Sequence, residues 1–147
     1  LLETVSDIAY DGRFVRRADH VIRFSTTEQS AVDSLMAQIQ ASPFSPPSWG
    51  DAAALVGEDV LYALIELGDI VQVSQDVIFS RGAFDEMVSG ISAMLDEFGS
   101  VSASQVRDRF STSRKYAIAF LEYLDTLGIT RREGDARVRG ARTNGKP

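Results

Sequence analysis

Cysteine is absent from this chain of 147 residues, and histidine occurs once, as His20. Without cysteine there are no disulfides, thiolate metal sites or cysteine nucleophiles. A single histidine leaves no room for a His-cluster metal site and little for a serine–histidine relay. No apolar run approaches the roughly 18 residues that span a bilayer. The opening Leu-Leu-Glu-Thr-Val-Ser-Asp lacks the basic and long apolar regions of a signal peptide. A cytoplasmic location with no membrane partner is therefore the expectation. Glycine-rich phosphate loops and nucleophile elbows are missing too, so the chain is read as a non-enzyme with no catalytic residues, no metal site and no cofactor of its own.

What is present is ordinary in amount and uneven in placement. Hydrophobic residues make up 44% and charged residues 24%, as in a soluble globular protein of one domain or two small ones. The net charge of −6 argues at first against a nucleic-acid partner. Residues 1–99, however, hold 5 Lys+Arg against 16 Asp+Glu, a net of −11, while residues 100–147 hold 10 against 5, a net of +5. That asymmetry points to a basic binding surface on one module of an acidic chain.

Three stretches share a pattern of glycine, short β-type run, polar turn and second β-type run. They start at Gly12, Gly68 and Gly128, and each reads as a hairpin. Helical periodicity fills the spaces between them. Val32, Leu35, Met36 and Ile39 share one helical face, with Thr26 and Gln29 as a capping box. Pro43, Pro46 and Pro47 then break the chain, and Ser48 caps a helix through Leu55. Glu58 to Leu67 follows, stopped by Gly68. Further on, Met87, Val88, Ile91, Leu95 and Phe98 line a face that ends at Gly99. Ser102 and Gln105 form a capping box flanked by Val101 and Val106, and Ser113 caps a helix carrying Ala117, Phe120, Leu121 and Leu124, which Gly128 ends.

Each unit thus reads helix, helix, turn, helix, hairpin. The fold class expected is mainly α (α+β), as tandem winged-helix modules. Residues 25–82 form an acidic, spacer-like module and 83–140 a second, basic one. Residues 1–24 read as the end of a helix plus a hairpin, the last part of a preceding copy in a longer protein, and 141–147 as a disordered tail. Only Arg81, Gly82 and Ala83 separate the middle wing from the next helix, so a short joint is expected.

In a helix-turn-helix the start of the third helix meets the nucleic acid. Here that start is Ser113-Arg114-Lys115, two cations on amides that favour phosphate. The same pair also suits a plain solvated helix end. The last wing carries Arg131, Arg132, Arg137 and Arg139, residues able to fork onto phosphate or stack on bases; an edge strand charged against aggregation would look similar. In the middle module the equivalent helix start, Glu58-Asp59-Val60, is acidic and would repel phosphate, and the wing around Gln72 has no cations. Trp49 reads as a packing anchor, Tyr116 and Tyr123 as near-core residues, and Glu122 with Asp125 as a solvated helix face.

The series Ser113-Arg114-Lys115-Tyr116-Ala117, Leu121-Glu122-Tyr123-Leu124-Asp125 and Gly128-Ile129-Thr130-Arg131-Arg132-Glu133-Gly134-Asp135 resembles the C-terminal winged-helix region of the bacterial selenocysteine-specific elongation factors. Phe44-Ser45-Pro46-Pro47-Ser48 and Asp69-Ile70-Val71-Gln72-Val73-Ser74 are similar to that region's preceding module. The resemblance implies a fragment of a GTPase that carries selenocysteinyl-tRNA to the ribosome, where selenocysteine enters at UGA codons. It implies a last module that grips the selenocysteine insertion (SECIS) hairpin of the mRNA. Ser113, Arg114, Lys115, Arg131, Arg132, Arg137 and Arg139 would bind that RNA, in a monomer whose GTP and Mg belong to absent domains. A DNA-binding winged-helix regulator and a winged-helix interaction scaffold are the alternatives.

Overall fold

The computed structural model describes residues 2–4 and 21–141. The expected hairpin arm and turn at residues 12–20, and the tail beyond Ala141, lie outside them. Leu2–Thr4 (β1) pairs antiparallel with Val21–Arg23 (β2), Glu3 opposite Ile22. Of the expected helix end and hairpin in residues 1–24, the described residues show these two paired strands.

The middle module is three helices and a hairpin. Helix α1 (Thr26–Ala41) starts one residue earlier than expected: Ser25 caps the Glu28 amide at 3.1 Å, and the Glu28 carboxylate accepts from the Ser25 amide at 2.8 Å. Ser25/Glu28 and Thr26/Gln29 offer the same box spacing, and the carboxylate is the stronger acceptor at a helix start. Helices α2 (Trp49–Val56, capped by Ser48) and α3 (Glu58–Leu67) meet at Gly57. Strands β3 (Ile70–Gln72) and β4 (Ile78–Ser80) form the wing. From Phe24 to Ser80 there is no Lys or Arg, against eight Asp or Glu.

The last module runs α4 (Arg81–Phe98), β5 (Val101–Ser102), α5 (Ala103–Phe110), α6 (Arg114–Leu127), β6 (Thr130–Glu133) and β7 (Ala136–Arg139). Its sheet has the order β5-β7-β6, antiparallel throughout. A helix, a strand, two helices and a two-stranded wing that pairs with that strand make a winged helix. The capping box of Ser102 and Gln105 and the Ser113 cap form as read from the sequence. Gly128, at φ 80°, ends α6 in the left-handed conformation that glycine adopts without strain. Gly134, at φ 65°, turns β6 into β7. Phe98 departs from its expected face. It stands 58% exposed, because the last turn of α4 outruns the core behind Leu95.

No loop separates the modules. Helix α4 begins directly after β4, its cap being Ser80, whose hydroxyl accepts the Ala83 amide at 3.1 Å. The middle wing serves two cores by strand alternation. Ile70 and Ile78 join Val32, Leu35, Ile39, Leu61 and Leu64 of their own module. Val71, Val73, Val77 and Phe79 join the last module's core of Phe84, Met87, Ile91, Phe120 and Leu124. Phe79 stands edge-on to Tyr116 and Phe120 of α6, at 6.0 and 5.9 Å between ring centres. The proline loop adds polar ties. The Phe44 carbonyl accepts from the Thr112 hydroxyl, and the Pro46 carbonyl from the Tyr116 hydroxyl at 2.6 Å.

Candidate nucleic-acid interface

Helix α6 and its wing carry every candidate named from the sequence, and the fold sorts them into groups with different duties. Ser113 is occupied as the cap of α6, its hydroxyl accepting the Tyr116 amide at 3.1 Å. Arg114, the first residue of the helix, is exposed and makes no side-chain hydrogen bond or ion pair among the described residues. Lys115 turns the other way. Its ammonium pairs with Asp76 in the turn of the middle wing, across the module boundary. The hydrogen bond and charge of Asp76 raise its pKa above the ordinary lysine value. The Tyr116 hydroxyl is held above its own ordinary value, chiefly by burial, and so remains a donor to Pro46.

The wing arginines divide by strand: those of β6 are exposed and those of β7 are engaged by acids of the helices. Arg131 lies on the exposed face, 3.3 Å from Glu133. Arg132 is also exposed, its Nε donating to the Gly134 carbonyl at 3.1 Å, which leaves the rest of its fork open. Arg137 is buried. Its side chain is 5% exposed, and it donates to Asp125 through Nε at 3.1 Å and through a terminal nitrogen at 3.0 Å. Arg139 donates to the Ser92 carbonyl at 3.0 Å and pairs with Asp96 of α4. Asp125, read from the sequence as part of a solvated face, is therefore the anchor of the wing. Its other oxygen accepts the Thr130 hydroxyl at 2.6 Å. Glu122 is exposed, as read.

These placements leave a groove of about 360 Å³ between α6, the wing and the start of α5, lined among others by Ser102, Ala103, Ser104, Arg114, Arg132 and Arg137. The start of α5 is the part that the linear sequence does not reveal. Its capping box marks a helix start, yet only the fold brings that start beside Arg114 and Arg132. The leading amides of a helix lack helical partners and carry the positive end of its dipole. A cleft with two open guanidinium groups and a helix N-terminus suits phosphate oxygens, with room for an unstacked base. Glu122 and Asp135 on its rim limit how much anion it takes.

The middle module has a cleft of about 610 Å³ beside α1, but there Asp33 and Asp69 face the single cation Arg81, which pairs with Asp85. The start of α3 bears Glu58 and Asp59, and Trp49 packs against the middle core with its ring tilted against Tyr62 at 5.1 Å. Among the described residues no cluster of His, Cys, Asp or Glu could hold a metal ion, and no helix is long and apolar enough to cross a membrane.

Comparisons with known proteins agree with the winged-helix fold. Residues 93–139 match the family described as elongation factor SelB, winged helix. The selenocysteine-specific elongation factor of Desulfomicrobium baculatum is 28% identical over 137 residues, covering 88% of this chain and 22% of that protein. The Escherichia coli factor is 31% identical over 126 residues, covering 80% and 20%. The chain thus spans about a fifth of the length of these curated relatives. Among solved structures it is similar to the mRNA-binding domain of E. coli elongation factor SelB in complex with SECIS RNA. That match has 28% identity and a TM-score of 0.62, covering 80% of this chain and 99% of that one. Bacterial selenocysteine-specific elongation factor EF-Sec shares the fold, with TM-score 0.63 over 86% of this chain and 21% of that one.

Proposed function

Because this chain resembles, in sequence and in fold, the C-terminal winged-helix region of the bacterial selenocysteine-specific elongation factors, we propose that it is the RNA-gripping end of such a factor. Its target is the SECIS hairpin of an mRNA, held so that selenocysteine is inserted at UGA. The observation that carries the reading is the groove on the last module. Arg114 and Arg132 open into it, beside the first turn of α5, within residues 100–147, which hold 10 Lys+Arg against 5 Asp+Glu.

The chemistry favours RNA over duplex DNA. A-form RNA has a major groove too narrow for a helix, so a protein grips its backbone and its unstacked loop bases. The residues that open into the groove suit that task. Guanidinium groups fork onto phosphate, while Asn and Gln aimed at base edges are absent from the start of α6. Arg114, Arg131 and Arg132 are the proposed phosphate contacts. Lys115 is tied to Asp76 at the surface, while Arg137 and Arg139 brace the wing through Asp125 and Asp96. The acidic middle module repels phosphate and so directs RNA to one end.

The ribosome and selenocysteinyl-tRNA are partners of the whole factor, in the cytoplasm. GTP and magnesium belong to its other domains, since the chain offers no glycine-rich strand-to-helix turn to cradle phosphates. The test is a gel-shift comparison of an RNA hairpin bearing bulged loop bases with duplex DNA of equal length. Tighter binding of the hairpin supports the reading. Preference for duplex DNA, above all a palindromic site with dimerisation, would replace it with a transcription regulator.

A further inference from the structure

We infer that Asp125 is a positioning residue for RNA recognition, fixing through Arg137 the groove in which Arg114 and Arg132 meet the RNA. This rests on the RNA-binding reading above. Asp125 belongs to the second half of α6, and both wing strands are pinned to its carboxylate. Thr130, at the root of β6, donates to one oxygen at 2.6 Å, and Arg137 of β7 donates to the other at 3.0 and 3.1 Å. The pair is sheltered, Arg137 at 5% and Asp125 at 25% side-chain exposure. The strand register sets Arg132 directly opposite Arg137. Where Asp125 holds Arg137 therefore decides where Arg132 stands across the groove from Arg114.

The inference has a sign that plain electrostatics does not share. Asp125 is a negative charge behind a surface meant for a polyanion. If charge alone mattered, Asp125→Asn would strengthen RNA binding. As a positioning residue it does the opposite. Removing its charge leaves the Arg137 guanidinium sheltered and unpaired, and the wing must shift to let water reach it. Arg132 then loses its place.

The experiment measures affinity of the full chain for an RNA hairpin with bulged loop bases, over a range of salt concentrations. The variants are Asp125→Asn, Arg137→Lys, Arg137→Gln, Arg132→Gln and the pair Asp125→Asn/Arg132→Gln, each checked for helix content by circular dichroism. Asp125→Asn is expected to weaken binding about tenfold, the scale of one hydrogen bond to a charged group. It should add little to the loss already caused by Arg132→Gln, since both act through the same phosphate. Arg132→Gln should lower the salt slope by roughly 0.7–0.9, the share of a single neutralised phosphate, and Asp125→Asn and Arg137→Gln, which displace Arg132, should lower it toward the same extent. Arg137→Lys keeps the charge and gives up the fork, so it too should weaken binding; it decides the matter if Asp125→Asn fails to fold.

Equal or tighter binding by Asp125→Asn, additive losses in the pair, or a salt slope that Asp125→Asn leaves unchanged would overturn the inference. A wild type that ignores the hairpin is a separate result: it sinks the RNA reading, and this inference with it.

Discussion

Phe79→Ala is expected to destabilise both modules together. Phe79 belongs to the middle wing, is fully buried, and has its ring against Tyr116 and Phe120 of the last module. Truncation removes the ring's burial and leaves a cavity between elements that cannot easily close. Such losses cost about 3–5 kcal/mol, against a total of about 5–15 kcal/mol for a protein of this kind. At about 2–4 °C per kcal/mol for a chain of this size, the midpoint should fall by roughly 6–20 °C. The assay is thermal and urea unfolding, followed by far-ultraviolet circular dichroism and by fluorescence of Trp49. Trp49 is the chain's one tryptophan and lies in the middle module. Both signals should move together in a single transition. If Trp49 kept its wild-type midpoint while the helical signal split or fell alone, the modules would be independent and the shared core would be wrong. Ready proteolysis between residues 81 and 84 would say the same.

Other outcomes follow from individual side chains. Arg114→Ala should weaken hairpin binding more than Lys115→Ala, because Asp76 already engages Lys115; filter binding at fixed salt ranks the two. Gly90→Ala should destabilise, although an exposed helical glycine replaced by alanine usually gains up to about 1 kcal/mol. A methyl there meets the Phe110 ring at 2.6 Å, and that ring is held by Phe44; overpacking of this kind costs about 1–3 kcal/mol, read from a melting curve. The Lys115 pKa is raised in the fold, so what its pair contributes is present below the ordinary value of 10.5 and disappears as pH climbs through the raised one. Asp76→Asn should flatten that alkaline fall in stability, measured by urea unfolding at stepped pH.

Local chemistry was the part of the fold legible in the sequence. Ser48, Ser102 and Ser113 cap the starts of α2, α5 and α6 as their positions indicated, and Gly68, Gly99 and Gly128 end α3, α4 and α6 in left-handed turns. Periodicity located every long helix of the two modules. What it missed was settled by packing between residues distant in sequence. The short strand β5 exists because β7 pairs with it. The arginines of the wing looked equivalent in a row, yet Arg137 meets an acid 12 positions back and Arg139 one 43 back. Lys115 meets Asp76 across 39 positions. Residue type predicted that cations would gather at the last module; only the fold shows which of them are already engaged and which are open. The helix start at Ser102 to Ser104 enters the groove for the same reason, through packing that no spacing rule encodes.

The central claim is that RNA is gripped between α6, the wing and the start of α5, and nowhere on the middle module. Amide chemical-shift mapping of the nitrogen-15-labelled chain, titrated with the RNA hairpin, tests it residue by residue. The account predicts shifts concentrated at Ser102–Ser104, Arg114, and Arg131–Asp135, with residues 58–66 unmoved. Shifts centred on Glu58–Glu66 or on the Trp49–Tyr62 face, with the groove silent, would contradict it.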